Sequence, residues 1–266
     1  VLKHVVLVQM LAYLTAKDTP LWVVDTHAGA GAYSLSSSFA RKKGEFKDGI
    51  GRLWGRSDLP LGLAEYVHQI KAFNPDGALH AYPGSPQIAL QMTRPQDRLR
   101  LFELHTTDVR ILQDHFRRAG RRVSVREADG FEGLKSLLPP PSRRALVLID
   151  PSYEDKADYA RVLATLRDAL QRFATGTYAV WYPQVQRRES QELPGQLQQL
   201  AGKDWLHASL KVMAPARDGL GLHGSGMFVF NPPWKLEAAL RPVMPILAKL
   251  LGQDGKASFC LQSRQT

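Results

Sequence analysis

The chain has 266 residues, 44% hydrophobic and 23% charged, the balance of a water-soluble globular protein: one large α/β domain with an insertion, or two small domains. Its single cysteine, Cys260, excludes an intramolecular disulfide and a cysteine-rich zinc site and favours a reducing cytosol, and no apolar run approaches the ~20 residues of a membrane span. Lys and Arg outnumber Asp and Glu by 35 to 25, and this surplus clusters at Arg41-Lys42-Lys43, Arg117-Arg118, Arg121-Arg122, Arg143-Arg144 and Arg187-Arg188, so a nucleic acid is the partner it favours.

Residues 2 to 16 carry apolar side chains at helical spacing, with Lys3 and His4 at the start, where they can reach over the edge of a sheet. An apolar run, Leu21 to Val24, then enters Asp25-Thr26-His27-Ala28-Gly29-Ala30-Gly31. This reads as a buried parallel strand running into a tight turn, with Gly29 and Gly31 letting the backbone approach a ligand. A dinucleotide site wants a third glycine near Ser34; here it is missing, and a carboxylate stands at the strand's end. A cationic ligand without phosphates suits that turn better, and S-adenosylmethionine, with its sulfonium and ammonium, is the candidate.

From Ser36 to Pro95 strand character is lost. Helical spacing over Leu61–Phe73, then a proline-rich stretch and another short helix, predict an inserted, mostly helical subdomain over 36–95. Within it, Tyr82-Pro83-Gly84-Ser85-Pro86 is a turn whose Ser85 can hydrogen-bond a ligand. Strands are then predicted at Leu99–Leu104, Arg122–Ala128, Ala145–Ile149, Thr177–Trp181, Leu206–Met213 and Met227–Phe230. Helices are predicted at Thr107–Ala119, Gly130–Leu138, Tyr159–Phe173, Gln186–Leu200 and Trp234–Leu251. Such alternation predicts a parallel sheet covered by helices on both faces.

Acidic residues recur at the strand ends. Glu103 closes the second strand of the alternation, where a carboxylate can take both ribose hydroxyls of a nucleoside. Asp129, before Gly130, can accept from an adenine amino group or simply cap the next helix. The fourth strand runs from Leu146-Val147-Leu148-Ile149 into Asp150-Pro151-Ser152-Tyr153. The exocyclic amine of adenine is a poor nucleophile, because its lone pair is delocalised into the ring. Two acceptors, the Asp150 carboxylate and the Pro151 carbonyl, would pull that nitrogen towards sp3 geometry and stabilise developing positive charge, and Tyr153 offers a face for the base. The other motif of this kind, Asn231-Pro232-Pro233-Trp234, follows the last predicted strand and opens a helix, which marks it as structural. The histidines, including His4 and His27, show no metal-ligand spacing, and no metal is expected.

Together with Leu2-Lys3-His4, Arg172-Phe173-Ala174-Thr175-Gly176, Trp181-Tyr182-Pro183 and Asn231-Pro232-Pro233-Trp234-Lys235-Leu236-Glu237, these motifs resemble the RlmJ family across nearly the whole chain. These are bacterial methyltransferases that modify N6 of an adenine in 23S ribosomal RNA, and the resemblance implies the adenine at position 2030. It also implies a class I S-adenosylmethionine-dependent methyltransferase, Rossmann-like, in a single domain over 1–266. The expected sheet is mostly parallel and seven-stranded, with the small inserted helical subdomain. By the same resemblance His4, His27, Ser85, Glu103, Asp129, Gly130 and Asp150 line the cofactor site, Asp150 is the catalytic acceptor, and Lys3 sits near the active site. A cytoplasmic, monomeric enzyme acting on 23S ribosomal RNA, without a membrane, is the expectation. A DNA adenine methyltransferase needs the same acceptor pair, and a non-catalytic RNA-binding protein that keeps the fold is the reading from another class. Two departures stand out. Ser152 replaces the family's second proline while both acceptors remain. The family's aromatic- and histidine-rich segment before the first helix precedes Val1; without that segment RNA methylation is expected to suffer with cofactor binding intact.

Overall fold

The computed structural model describes residues 1–35, 45–216, 219 and 221–265; the Arg41-Lys42-Lys43 cluster lies outside them. Helix α1 (Leu2–Leu14) is apolar on every side and is buried accordingly, between the sheet and its neighbouring helices. Next come β1 (Trp22–Asp25), β2 (Ala32–Ser34), α2 (Glu45–Asp48), α3 (Leu61–Phe73), β3 (Ala81–Pro83), α4 (Ser85–Met92) and β4 (Arg98–Glu103). The middle of the chain alternates as α5 (Thr106–Phe116), β5 (Val123–Glu127), α6 (Gly130–Lys135), β6 (Ala145–Ile149), α7 (Ala157–Arg172), β7 (Thr177–Gln184) and α8 (Arg188–Ala201). The last part holds β8 (Trp205–Lys211), β9 (Gly224–Phe230), α9 (Leu236–Leu240), α10 (Val243–Leu251) and β10 (Ser258–Arg264).

Eight strands form the main sheet in the order β10-β8-β9-β7-β6-β1-β4-β5, with β5, β4, β1, β6 and β7 parallel and β7-β9, β9-β8 and β8-β10 antiparallel. Seven of these are the strands expected from the sequence. The eighth, β10, adds to the edge beyond β8. β6 shows why the central strands read as unbroken apolar runs: Leu146 and Leu148 pack into the core on one face, Ala145, Val147 and Ile149 into the core on the other. The predicted helix Trp234–Leu251 is two helices, divided at Arg241-Pro242, because proline offers no N–H to continue the ladder.

Segment 36–95, expected to be mostly helical, also supplies β3, which pairs with β2 in a separate two-stranded antiparallel sheet. Its helices α3 and α4 pack on α1, with Tyr66, Ile70 and Ile88 in the same core as Val5 and Leu7. That packing fixes the start of α1, with Lys3 and His4, over the carboxyl ends of β1, β4 and β6.

Candidate active site

The turn after β1 is built by three ties. The backbone N–H and the hydroxyl of Thr26 both donate to the Leu148 carbonyl (3.1 and 3.0 Å), and Ala28 N donates to the Phe102 carbonyl (2.9 Å). Gly29, at φ +61°, donates its N–H to Glu103 Oε2 (2.7 Å), while His105 N donates to Glu103 Oε1 (2.8 Å). Each Glu103 oxygen thus accepts one backbone N–H and keeps lone-pair capacity for a further donor. A Cβ on Gly29 would lie 2.5 Å from the Tyr33 hydroxyl, and Gly31 sits at φ +81°, so both glycines are required by the backbone itself.

Beneath the turn lies a charged cluster. Lys3 Nζ pairs with Asp150 Oδ2, and Ser85 Oγ donates to Asp25 Oδ2 (2.6 Å). Burial works against the charge on Lys3, yet the carboxylates of Asp150 and Asp25 outweigh it and push its pKa up to about 12. Burial raises the Asp150 carboxyl, with Lys3 opposing that rise. Asp25 is pushed up to about 6 by burial, against the pull of Ser85 and Lys3. His4 is held far below its ordinary value by burial and the nearby Lys3 charge, so it is a neutral ring. It stacks on Tyr82 (5.4 Å between centroids) and its Nδ1 bonds the Tyr82 hydroxyl (2.8 Å), which in turn bonds Tyr66 (2.9 Å). His27 is lowered to about 4, chiefly by burial.

Lys3, His4, His27, Gly29, Ser85, Glu103, Asp150 and Pro151 share the wall of one cavity of about 950 Å3. That is the upper end of the ~300–1,000 Å3 common for ligand sites. Gly31 shapes the turn without lining that wall.

Three further expected site residues also lie off that wall. The Asp129 carboxylate caps α6 through Phe131 N (2.9 Å) and pairs with Arg161, as the capping alternative expects. Burial alone would raise its pKa, but the Arg161 bond holds it below the usual carboxylate range. Gly130 permits close packing: a Cβ there would stand 1.9 Å from the Thr26 carbonyl oxygen. Tyr153 does not offer a face to the cavity. At φ 56° its backbone turns the ring into the core, where it is 3% exposed, packs on Tyr159 (4.7 Å) and donates its hydroxyl to the Trp181 carbonyl (2.7 Å).

Among the described residues, Trp181 and Tyr33 line the cavity, beside the rings of His4 and His27. Trp181 stands in the Trp181-Tyr182-Pro183 motif, which carried no assigned role; Arg161, on α7, had no local sequence signal at all. Asn231 is structural, its Nδ2 closing the turn before β7 by donating to the Ala174 and Gly176 carbonyls (2.7 Å each). Part of the basic surplus is also spent inside the fold: Arg144 donates to the Leu14 carbonyl (2.6 Å), Arg122 to the Thr93 carbonyl (3.0 Å) and Arg187 to the Tyr153 carbonyl (3.0 Å).

Residues 18–261 match the family model described as ribosomal RNA large subunit methyltransferase D, RlmJ. The chain belongs to the RlmJ family. It is 45% identical over 255 residues to the ribosomal RNA large subunit methyltransferase J of Escherichia coli K12, covering 96% of this chain and 90% of that protein. Against the protein of the same name from Haemophilus influenzae it is 44% identical over 263 residues, covering 98% and 93%. A crystal structure from Legionella pneumophila, 35% identical, superposes with a TM-score of 0.90 over 100% of this chain and 97% of that one. The RlmJ chain has the class I methyltransferase architecture: leaving β10 aside, its strands run third-second-first-fourth-fifth-seventh-sixth across the sheet. The cavity opens at the carboxyl ends of β1, β4 and β6, where ligands bind in open α/β sheets.

Proposed function

We propose that this RlmJ-family chain transfers a methyl group from S-adenosylmethionine to N6 of an adenine in 23S ribosomal RNA. The observation that supports it most is the sharing of one cavity by Asp150-Pro151 and by the Glu103–Gly29 turn: an acceptor pair for an amine beside a nucleoside site. The donor set fits the cofactor. Glu103 can receive ribose hydroxyls, and carboxylates rather than a phosphate-binding turn surround the place a sulfonium and an ammonium would occupy.

When bound, S-adenosylmethionine supplies an electrophilic methyl on a sulfonium. Asp150 and the Pro151 carbonyl accept from the two N–H groups of the adenine amine and direct its lone pair at that methyl. Methylation by that group would leave the nitrogen cationic. Asp150 in its ionised form, which the paired Lys3 favours against burial, stabilises that charge, and the proton then leaves to Asp150 or to water. Trp181 and Tyr33 are the faces on which an extruded base can stack, worth ~1–3 kcal/mol per base in other systems. Ser152 does not remove either acceptor; its hydroxyl accepts from Glu154 N (3.4 Å) inside the same turn. The enzyme is cytoplasmic and acts as a monomer.

Methyl incorporation into protein-free 23S ribosomal RNA, run beside duplex DNA, tests this function. Asp150→Ala should lower turnover by about 100-fold or more, with cofactor affinity by calorimetry within about threefold of wild type. Equal rates in the variant, or preference for the DNA, would overturn it.

A further inference from the structure

A second cavity, of about 340 Å3, opens at the far ends of β7 and β8 and has no part in the chemistry above. Its position follows from strand alternation. Trp181 lines the active-site cavity, whereas Tyr182 and Gln184 line this one, and Gln184 is three residues further along β7, about 10 Å at 3.3 Å per residue. α8 supplies Ser190 and Gln191, and His207, Lys211 and His223 add to the wall. Arg187, just beyond β7, donates to the carbonyl of Tyr153 in the Asp150 loop (3.0 Å) and so ties the end of β7 to that loop.

The lining mixes apolar side chains, Val185, Pro194 and Pro215, with histidines, carboxamides and hydroxyls, and part of its polar capacity is unused. His223 is 8% exposed, and its Nδ1 has no hydrogen-bond partner among the described residues; the same holds for Gln184 Oε1. Buried polar atoms of this kind normally have partners, and two of the residues lining this one pocket each carry an exception. Burial lowers His223, and the Lys211 charge adds to that; burial also takes His207 down to about 4, so both rings are uncharged. Neutral rings and carboxamides suit the edge of a nucleobase, whereas a phosphate would call for cations. Among the described lining residues the cation is Lys211, exposed where a backbone phosphate would pass.

Building on the methyl transfer to RNA proposed above, we infer that this pocket receives the base of a nucleotide adjoining the target adenine on the same RNA strand. Single-stranded RNA is read by splaying bases out and bonding their edges one at a time, and two pockets on either side of one strand end permit that.

The test is affinity for protein-free 23S ribosomal RNA, measured across a salt series in excess non-ribosomal competitor RNA, for wild type, Gln191→Ala, His223→Ala and Lys211→Gln. Loss of a base contact should weaken binding about five- to tenfold without altering the slope of log affinity against log salt. Lys211→Gln should reduce that slope by about one. Gln191 is exposed, so its variant keeps the question answerable if His223→Ala does not fold, as thermal melting will show. Variants that bind as tightly as wild type while methyl incorporation persists would overturn the pocket alone. Weakened variants of a wild type that binds but transfers no methyl would overturn the catalytic function and leave the pocket standing. An affinity loss that carries a slope change in Gln191→Ala would also overturn it, since that is the mark of a phosphate contact.

Discussion

Lys3, at the start of α1, and Asp150, at the tip of β6, are 147 residues apart in sequence and form an ion pair in the cavity wall. Burial favours the protonated carboxyl of Asp150, and Lys3 is the group that opposes this. Removing the cation as Lys3→Met therefore raises the Asp150 pKa further. Since only the ionised carboxylate stabilises a cationic amine, the acid limb of the pH profile of kcat should move to higher pH, with part of the lost rate recovered on raising the pH. An acid limb that stays in place would mean that Lys3 does not set the charge of Asp150.

Glu103 serves two purposes at once, as acceptor for the Gly29 and His105 backbone and as the acid facing the cavity. Glu103→Ala should weaken S-adenosylmethionine binding by about 10- to 100-fold, the range of a lost charged hydrogen bond. Glu103→Gln keeps an oxygen for one backbone donor and should fall between the two. Calorimetric titration reads the affinities, and an unchanged value for Glu103→Ala would remove Glu103 from the cofactor site.

Much of the fold was legible because its signals are local. The apolar run ending in Asp150 is a central parallel strand, and α3 spans Leu61–Phe73 as its spacing requires. β10 was not legible. Its residues, Ser258 to Arg264, are mostly half or fully exposed, and its sole strand partner, β8, lies some 50 residues away across two helices. The site shows the same division. The glycine turn and the strand-end acids are written in adjacent residues. The Arg161–Asp129 pair is separated by 32 positions, and the ring of Tyr153 turns inward through its own φ and its bond to Trp181, neither of which a motif encodes.

That inward turn gives Tyr153 and Trp181 different surroundings, one in the core and the other at the cavity. Trp181→Ala should raise the KM for RNA by about five- to 150-fold, corresponding to ~1–3 kcal/mol of stacking, and leave cofactor affinity unchanged. Tyr153→Phe removes only the hydroxyl bond to the Trp181 carbonyl, so it should cost about 1 kcal/mol of stability without moving the KM for RNA. Steady-state kinetics with urea unfolding distinguishes them; a KM effect in Tyr153→Phe larger than that in Trp181→Ala would return the stacking role to Tyr153.

Asp25 offers a stability readout independent of any substrate. Its carboxyl is buried at the end of β1, accepts from Ser85, and titrates near 6 in the folded chain against 3.8 for an ordinary aspartate. The folded state therefore holds this proton more tightly than the unfolded chain does. Its contribution to stability is complete below about pH 4 and is lost as the pH rises through about 6, by an amount on the order of 3 kcal/mol. Asp25→Asn keeps an oxygen for the Ser85 hydroxyl and cannot ionise. Urea unfolding at several pH values should show the variant gaining on wild type across that interval and the difference levelling off above it. A constant difference across the interval would mean that Asp25 carries the same charge in both states.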